Sequence, residues 1–370
     1  MAERKKLTLP KKIIDKYGEK PMIWSYSRLG TFNNCVYEYY LSRIKRFKSV
    51  DNIYTISGSV AHDILEDFYD GKIKYEDMKK RFEQDFLEIE TSDYKFSSDQ
   101  EKNLSMRNKY KNCVMHFFKN HQVVESKVLT EKHIWIDVRG HLFTGYIDAI
   151  HKEGDYFIIT DYKTSNINGY KGKKLKQNQK QLLLYALGLH QLGIPLNKIK
   201  IRWNFLKYLN IKYPLKNGKT KITQAERHKW VDKIKNPLKK DIVEKYDIEE
   251  YEADIKIIDL IKQNSLDGLH EDIVNKYKIE DCYVYGDISE ETITELLDEI
   301  EQDILKILER GKEEDNWERE NIQSNEEFYC NVLCGVRKHC KYYSRYLDEL
   351  KKLNDIEEEE ANIIAELENL

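Results

Sequence analysis

The sequence predicts an α/β protein with a mixed central sheet flanked by helices. Three observations carry this expectation. Apolar residues alternate with polar ones in successive runs between 133 and 163, separated by short glycine-bearing turns. Charged segments with apolar residues at helical spacing precede these runs, and a helix and then a further strand follow them. A chain of 370 residues, 40% hydrophobic and 12% aromatic, has enough apolar surface for one large core or two modest ones.

In chain order, residues 1–21 form a basic lead-in ending at Pro21. Ser25 or Ser27 then offers an N-cap for a helix running through Cys35 towards Lys45. A second helix opens between Gly58 and His62, with Val60, Ile64, Leu65 and Phe68 on one stripe, and charged helices follow at about 75–90 and 100–122. Strands at 133–138, 142–150 and 156–163 are joined by turns at Arg139-Gly140-His141 and Glu153-Gly154-Asp155. Residues 177–192 read as a helix stopped near Gly193 and Pro195, and 198–208 as a last strand. Residues 209–286 show no clear relation to that core and are expected to be a helical insertion or lid. An amphipathic helix at 288–311 and a Glu-rich one at 348–370 follow, the latter a solvated terminal helix or a partner helix. The expected plan is one domain at 22–345, interrupted at 209–286, with a cysteine cluster at 330–340 and a helical tail at 346–370.

The net charge of −3 conceals segregation. Residues 161–240 hold 20 Lys+Arg against 3 Asp+Glu, and residues 241–327 hold 9 against 29. A polyanion-binding face beside an acidic lobe accords with these counts, and so do two segments that neutralise one another. The aliphatic stretch 182–187 falls well short of the about 18 residues of a membrane span. No apolar run follows the basic N-terminus, so a secretory signal is not expected and a cytoplasmic protein without membrane contact is. In that compartment the clustering among six cysteines favours metal ligation over disulfides.

The segment Asp161-Tyr162-Lys163 closes the third strand of the meander. Strand alternation turns Asp161 and Lys163 to one face and Tyr162 to the other, and pairing with the preceding strand would bring Asp148 beside them. Magnesium prefers carboxylate oxygens and lets a substrate phosphate complete its shell, so Asp148, Asp161 and the Tyr162 carbonyl suit it. Lys163 would orient or deprotonate the attacking water and offset charge. An ordinary solvated strand end can carry the same residues. Gly145, three before Asp148, marks a close approach of backbone or ligand. Gln181 and Tyr185 share a helix face at i and i+4, and so do His62 and Glu66. Glu131 is a weaker ligand candidate that can simply cap the sheet.

Taken together, Gly58-x₃-His62-x₂-Leu65-Glu66, Gly145-x₂-Asp148, Asp161-x-Lys163-Thr164 and Gln181-x₃-Tyr185 resemble, in kind and order, the RecB-like branch of the PD-(D/E)xK nuclease superfamily. The resemblance covers about residues 24–208 and 328–345. It implies a restriction-endonuclease-like core and a metal-dependent deoxyribonuclease, expected to be an exonuclease, in DNA processing, recombination, repair or defence. It implies that His62, Asp148, Asp161 and the Tyr162 carbonyl bind one or two Mg²⁺ or Mn²⁺ ions. Lys163 would be catalytic, with Gln181 and Tyr185 positioning the lysine or the DNA. The implied partner is single-stranded DNA or a duplex end, with any unwinding left to a separate helicase, in a bacterial or phage-infected cell.

The cysteines add a second constellation, with Cys330-x₃-Cys334-x₅-Cys340 far from Cys35. AddB-type and CRISPR-adaptation nucleases, which this arrangement resembles, take one thiolate from an N-terminal helix and three from a C-terminal cluster to hold a [4Fe–4S] cluster. Four thiolates are the usual iron–sulfur complement. The resemblance implies a structural cluster that ties Cys35 to the distant triad. One departure is the spacing of three, rather than the usual two, between Cys330 and Cys334. His339 keeps a zinc site with Cys330, Cys334 and Cys340 open. Cys113 and Cys282 are expected to be buried packing residues.

Lys173, Lys174, Lys176 and Lys180 would touch a DNA backbone without reading bases. Tyr170, Trp203 and Phe205 would stack on unpaired bases or pack in the core. Asn217-Gly218-Lys219-Thr220 ends like a phosphate-binding loop, but Tyr213 stands where its first glycine belongs. Two other functions stay open on the sequence: a non-catalytic DNA-binding subunit on a nuclease fold, and a zinc-stabilised interaction protein.

Overall fold

The computed structural model describes residues 8–368, and the chain divides into two compact units. One unit comprises Met1–Asn52, Val138–Phe143 and Leu297–Leu370, the other Ile53–Asp137 and Thr144–Leu296. The strands are β1 (Ile23–Trp24), β2 (Val128–Val138), β3 (His141–Glu153), β4 (Tyr156–Lys163), β5 (Ile199–Pro214), β6 (Thr220–Glu226) and β7 (Lys278–Tyr285).

In the larger unit β2 pairs with β3, β3 and β4 run antiparallel, and β4 and β5 run parallel from Phe157↔Ile199 to Lys163↔Phe205. A parallel pair needs a crossover, and the helix Lys180–Gln191 supplies it. Residues 182–189 of that helix are all buried, which explains its lack of a polar face. Residues 158–162 of β4 are likewise buried on both faces, as a strand covered on two sides requires. Helices Ile53–Tyr69, Tyr75–Glu90 and Gln100–Asn120 pack around Met78, Phe82, Phe86, Phe117 and Phe118 and cover Ala149, Tyr162 and Leu206. The architecture is thus the mixed, helix-flanked sheet that the sequence predicts.

Several elements differ from expectation. The helix bearing His62 begins at Ile53 rather than near Gly58. Strand β5 runs on to Pro214 and pairs antiparallel with both β6 and β7, with a register shift between Asn204 and Leu209 on the β7 side. Residues 209–286 therefore supply strand as well as helix, around a second core that includes Leu209, Val231, Leu238, Ile242 and Ile257. The phosphate-loop lookalike is the β5–β6 turn, where the Gly218 N–H donates to the Leu215 carbonyl at 2.9 Å.

In the smaller unit β1 pairs in parallel with Leu142 and Phe143. Ser25 caps the helix Tyr26–Asn34, its side chain accepting the Arg28 N–H at 3.2 Å. That helix stops at Cys35 instead of continuing to Lys45. Cys35 is extended, with φ of −159°, and its sulfur accepts the Glu38 N–H at 3.4 Å, capping the next turn. Among the described residues no helix is long and apolar enough to cross a membrane.

Candidate metal centre and cysteine cavity

The β3–β4 ladder ends at Ala149 and Thr160. Just beyond it the Asp148 side chain takes over the pairing, Oδ2 accepting the Tyr162 N–H at 3.0 Å. Asp161 is 4% exposed. Its Oδ2 is ion-paired with Lys163 Nζ at 2.6 Å, although no hydrogen bond of good geometry joins them. Burial pushes the Asp161 carboxyl up to about 6, with Lys163 opposing the shift and Asp148 adding to it. On Lys163 burial works against the charge, but the carboxylates, Asp161 foremost, outweigh it and hold the amine above the ordinary lysine range.

His62 donates from Nε2 to the Tyr162 carbonyl at 2.8 Å, and its Nδ1 lies 3.4 Å from Asp148 Oδ2. In a neutral ring protonated on Nε2, that nitrogen and that oxygen present lone pairs to one another, as ligands of one cation do. Glu131 joins them from β2, where its φ is +42°. One donor atom each from His62, Glu131 and Asp148 all lie within 4.8 Å of one another, a span comparable to two Mg²⁺–oxygen bonds of about 2.1 Å. Glu66, the sequence's companion to His62, stands outside this group, 3.8 Å from Lys72. The sequence undervalued Glu131, because a positive φ at a non-glycine residue has no local signature.

Gln181 Nε2 donates to the Tyr185 hydroxyl at 2.9 Å. Burial pushes that hydroxyl up to about 12. The close approach at Gly145 is made by the Tyr185 ring rather than by a ligand: a Cβ there would stand 2.4 Å from Cε1. Lys173, Lys174 and Lys176 are exposed, while Lys180 is half-buried and donates to Gln177 Oε1 at 2.7 Å. Trp203 and Phe205 are 1% and 0% exposed, so stacking on bases is overturned for both. They lie on a strand covered on two faces, and the half-buried Tyr170 packs edge-on against each at 5.0 and 4.8 Å.

In the smaller unit Cys35, Cys330, Cys334 and Cys340 line one cavity with Glu38, Arg319 and others. All four are free thiols. Burial pushes the Cys330 thiol up to about 11 and raises Cys334 and Cys340 as well. Arg319 Nη1 donates to the Cys35 sulfur at 3.4 Å, a positive charge suited to thiolate ligands. His339 does not line the cavity; its ring stacks on Phe47 at 4.1 Å. Cys113 and Cys282 are buried elsewhere, as expected.

These features define an α/β protein with a carboxylate–imidazole–lysine centre at a strand end. The family model of the PD-(D/E)XK nuclease superfamily matches residues 23–345, and the chain belongs to that superfamily. A search of curated proteins returned no match to the chain.

Proposed function

We propose that the protein is a metal-dependent deoxyribonuclease that hydrolyses phosphodiester bonds, acting as an exonuclease in DNA processing, recombination, repair or defence. Superfamily membership supports a nuclease. The observation that carries the rest is the buried Asp161 Oδ2, ion-paired with the Lys163 amine, with Asp148 and His62 at the same strand end. In this reading His62, Asp148, Asp161 and the Tyr162 carbonyl hold one or two Mg²⁺ or Mn²⁺ ions. A bound ion of this kind polarises a phosphoryl oxygen and acidifies a bound water. Lys163, anchored by Asp161, orients the water and offsets charge on the phosphate. Its ion pair keeps it an ammonium, which favours charge compensation over proton abstraction. Gln181 and Tyr185, bonded to one another, position Lys163 or the DNA strand. Lys173, Lys174 and Lys176 meet the phosphate backbone of single strands or duplex ends. Any helicase activity comes from another protein, in the cytoplasm of a bacterial or phage-infected cell.

The cysteine cavity accords with a [4Fe–4S] cluster of the AddB-type or CRISPR-adaptation kind. Two sulfurs on one zinc ion lie at most about 4.6 Å apart, given Zn–S bonds of about 2.3 Å. Among the described residues no three of these sulfurs come within 4.8 Å of one another, and His339 is turned away to Phe47. Both points favour a larger, polynuclear group. Such a cluster would join Cys35 to the segment from Cys330, a structural cross-link across most of the chain.

Cleavage of labelled single- and double-stranded DNA, with and without chelator, tests the reading. Activity that survives Asp161→Ala and Lys163→Ala would overturn it. Robust DNA binding without cleavage under any divalent ion would favour a non-catalytic subunit instead. Iron and sulfide content with visible charge-transfer absorbance in anaerobically purified protein tests the cluster, and stoichiometric zinc without iron would replace it.

A further inference from the structure

On the face of β4 opposite Asp161 and Lys163, buried polar groups lie beside an apolar core. Tyr162, whose carbonyl meets His62, turns its ring to that side and is 6% exposed. Tyr69, on the same helix as His62, packs against the core cluster that contains Tyr162. Tyr69 in turn donates to His121 Nε2 at 2.8 Å, and His121 donates from Nδ1 to Asp281 Oδ2 at 2.7 Å. Arg227 Nη2 closes the chain on Asp281 Oδ1 at 2.6 Å. The side chains of His121, Asp281 and Arg227 are at most 1% exposed. Asn204, opposite Tyr162 in the β4–β5 register, is fully buried, and neither atom of its amide has a hydrogen-bond partner.

A buried ion pair is weak as a source of stability, because desolvation cancels most of its attraction and an apolar replacement often does as well. Its value lies in fixing geometry. We infer that Tyr69, His121, Asp281 and Arg227 form a positioning relay that seats the His62-bearing helix against Tyr162 and hence against the metal-facing end of β4. The inference rests on the metal-centre reading above. With the His121 proton on Nδ1 the chain runs one way, from the Tyr69 hydroxyl to the Asp281 carboxylate, while the Tyr69 oxygen also accepts the Val124 N–H at 3.4 Å. Tyr69 and His62 lie on one helix, so the relay acts on the His62–Tyr162 contact through that helix. Arg227 and Asp281 come from residues 209–286, which thereby support the site from beneath instead of covering it.

Outer partners of metal ligands typically change affinity by about 10- to 100-fold when removed. The test titrates the full chain with Mn²⁺ alone, by calorimetry and by electron paramagnetic resonance, in the wild type, Tyr69→Phe and Tyr277→Phe. The first variant deletes one hydroxyl and keeps its ring in the core. The second deletes a comparable bond, Tyr277 to Asp241 at 2.6 Å, outside the relay. Tyr69→Phe should weaken Mn²⁺ by about 10-fold or more, alter the manganese spectrum, and raise the metal concentration for half-maximal cleavage without changing the KM for DNA. Tyr277→Phe should bind as the wild type does. Wild-type Mn²⁺ affinity in Tyr69→Phe, or an equal loss in Tyr277→Phe, would overturn the relay. A wild type that binds no Mn²⁺ would remove the metal centre itself, and the relay with it.

Discussion

Gly145→Ala tests the packing beside the candidate centre with the least chemical change. The added Cβ would lie 2.4 Å from Tyr185 Cε1, 3.2 Å from Cζ and 3.3 Å from Cδ1. Carbon atoms rest at about 3.5 Å or more, so the ring or the strand must yield by about 1 Å. Tyr185 is 6% exposed and its hydroxyl is tied to Gln181, so it has little room to swing. Overpacking of this kind costs about 1–3 kcal/mol. For a chain of 370 residues each kcal/mol lowers Tm by only about 1–2 °C. Turnover should suffer more, because a misplacement of about 1 Å close to reacting groups costs on the order of 100-fold. Thermal melts and initial rates at saturating DNA and Mg²⁺ read the two effects. In a Tyr185→Ala background the ring is gone, and Gly145→Ala should then cost less than about 0.5 kcal/mol further. An equal loss in both backgrounds would refute the contact.

Other outcomes follow from the same geometry. Gly335→Ala would set a Cβ 1.9 Å from Ser49 Oγ and 2.8 Å from the Val50 carbonyl oxygen, between Cys334 and Cys340. Iron per protein should fall while Mn²⁺ binding is kept, and full iron content would refute the strain. Glu131→Gln keeps its shape and removes a charge from the His62–Asp148 group, so Mn²⁺ affinity should drop about 10-fold; unchanged affinity would make Glu131 purely structural. Burial holds His116 at about 3 and His151 at about 4. Unfolded histidine takes up its proton near about 6.5, so their contribution is complete above that pH and is lost as pH falls towards 4, by up to about 1.4 kcal/mol per pH unit for each. Urea midpoints between pH 7 and 4.5 measure this, and a flat profile would contradict it. Replacing Lys173, Lys174 and Lys176 together by Gln should lower the slope of log affinity against log salt on single strands by about 0.7 per lysine, with turnover at saturation retained.

What the sequence made legible depended on how local the governing physics was. Alternation along one strand suffices to put Asp161 and Lys163 on a shared face, and their 2.6 Å ion pair is its direct result. Asp148 needed only the neighbouring strand of a short hairpin. The cysteine cavity was different: nothing local links Cys35 to Cys330, and only the resemblance suggested it. Glu131 ranked only as a weaker candidate because its φ of +42° is set by tertiary context. Trp203 and Phe205 beside Arg202 and Lys207 look like a nucleic-acid surface, yet a strand covered on both faces buries its aromatics whatever their neighbours. Strand β7 stayed hidden because its partner β5 lies far upstream and the pairing shifts register partway. The break at Cys35 was equally unreadable, since a sulfur caps the following turn less often than a hydroxyl or carboxylate does.

Charge illustrates how a correct count can mislead about a surface. Several cations of 161–240 are spent on acids of 241–327: Lys212 meets Glu280 at 2.5 Å, Lys239 meets Glu250 and Asp254 at 3.1 and 2.9 Å, and Arg227 meets Asp281. The exposed pairs, those of Lys212 and Lys239, contribute only about 0–1 kcal/mol each, so their main effect is to cancel the field. The excess that persists is local. Lys171, Lys173, Lys174 and Lys176 are exposed and make no ion pair among the described residues, and they lie on the segment between Lys163 and the helix Lys180–Gln191. At physiological ionic strength their field fades over about 8 Å, so it acts on phosphates beside this segment and not across the molecule. Neutralising these lysines should therefore change the salt dependence of DNA binding, whereas neutralising acids already paired with Lys239 should leave it unchanged.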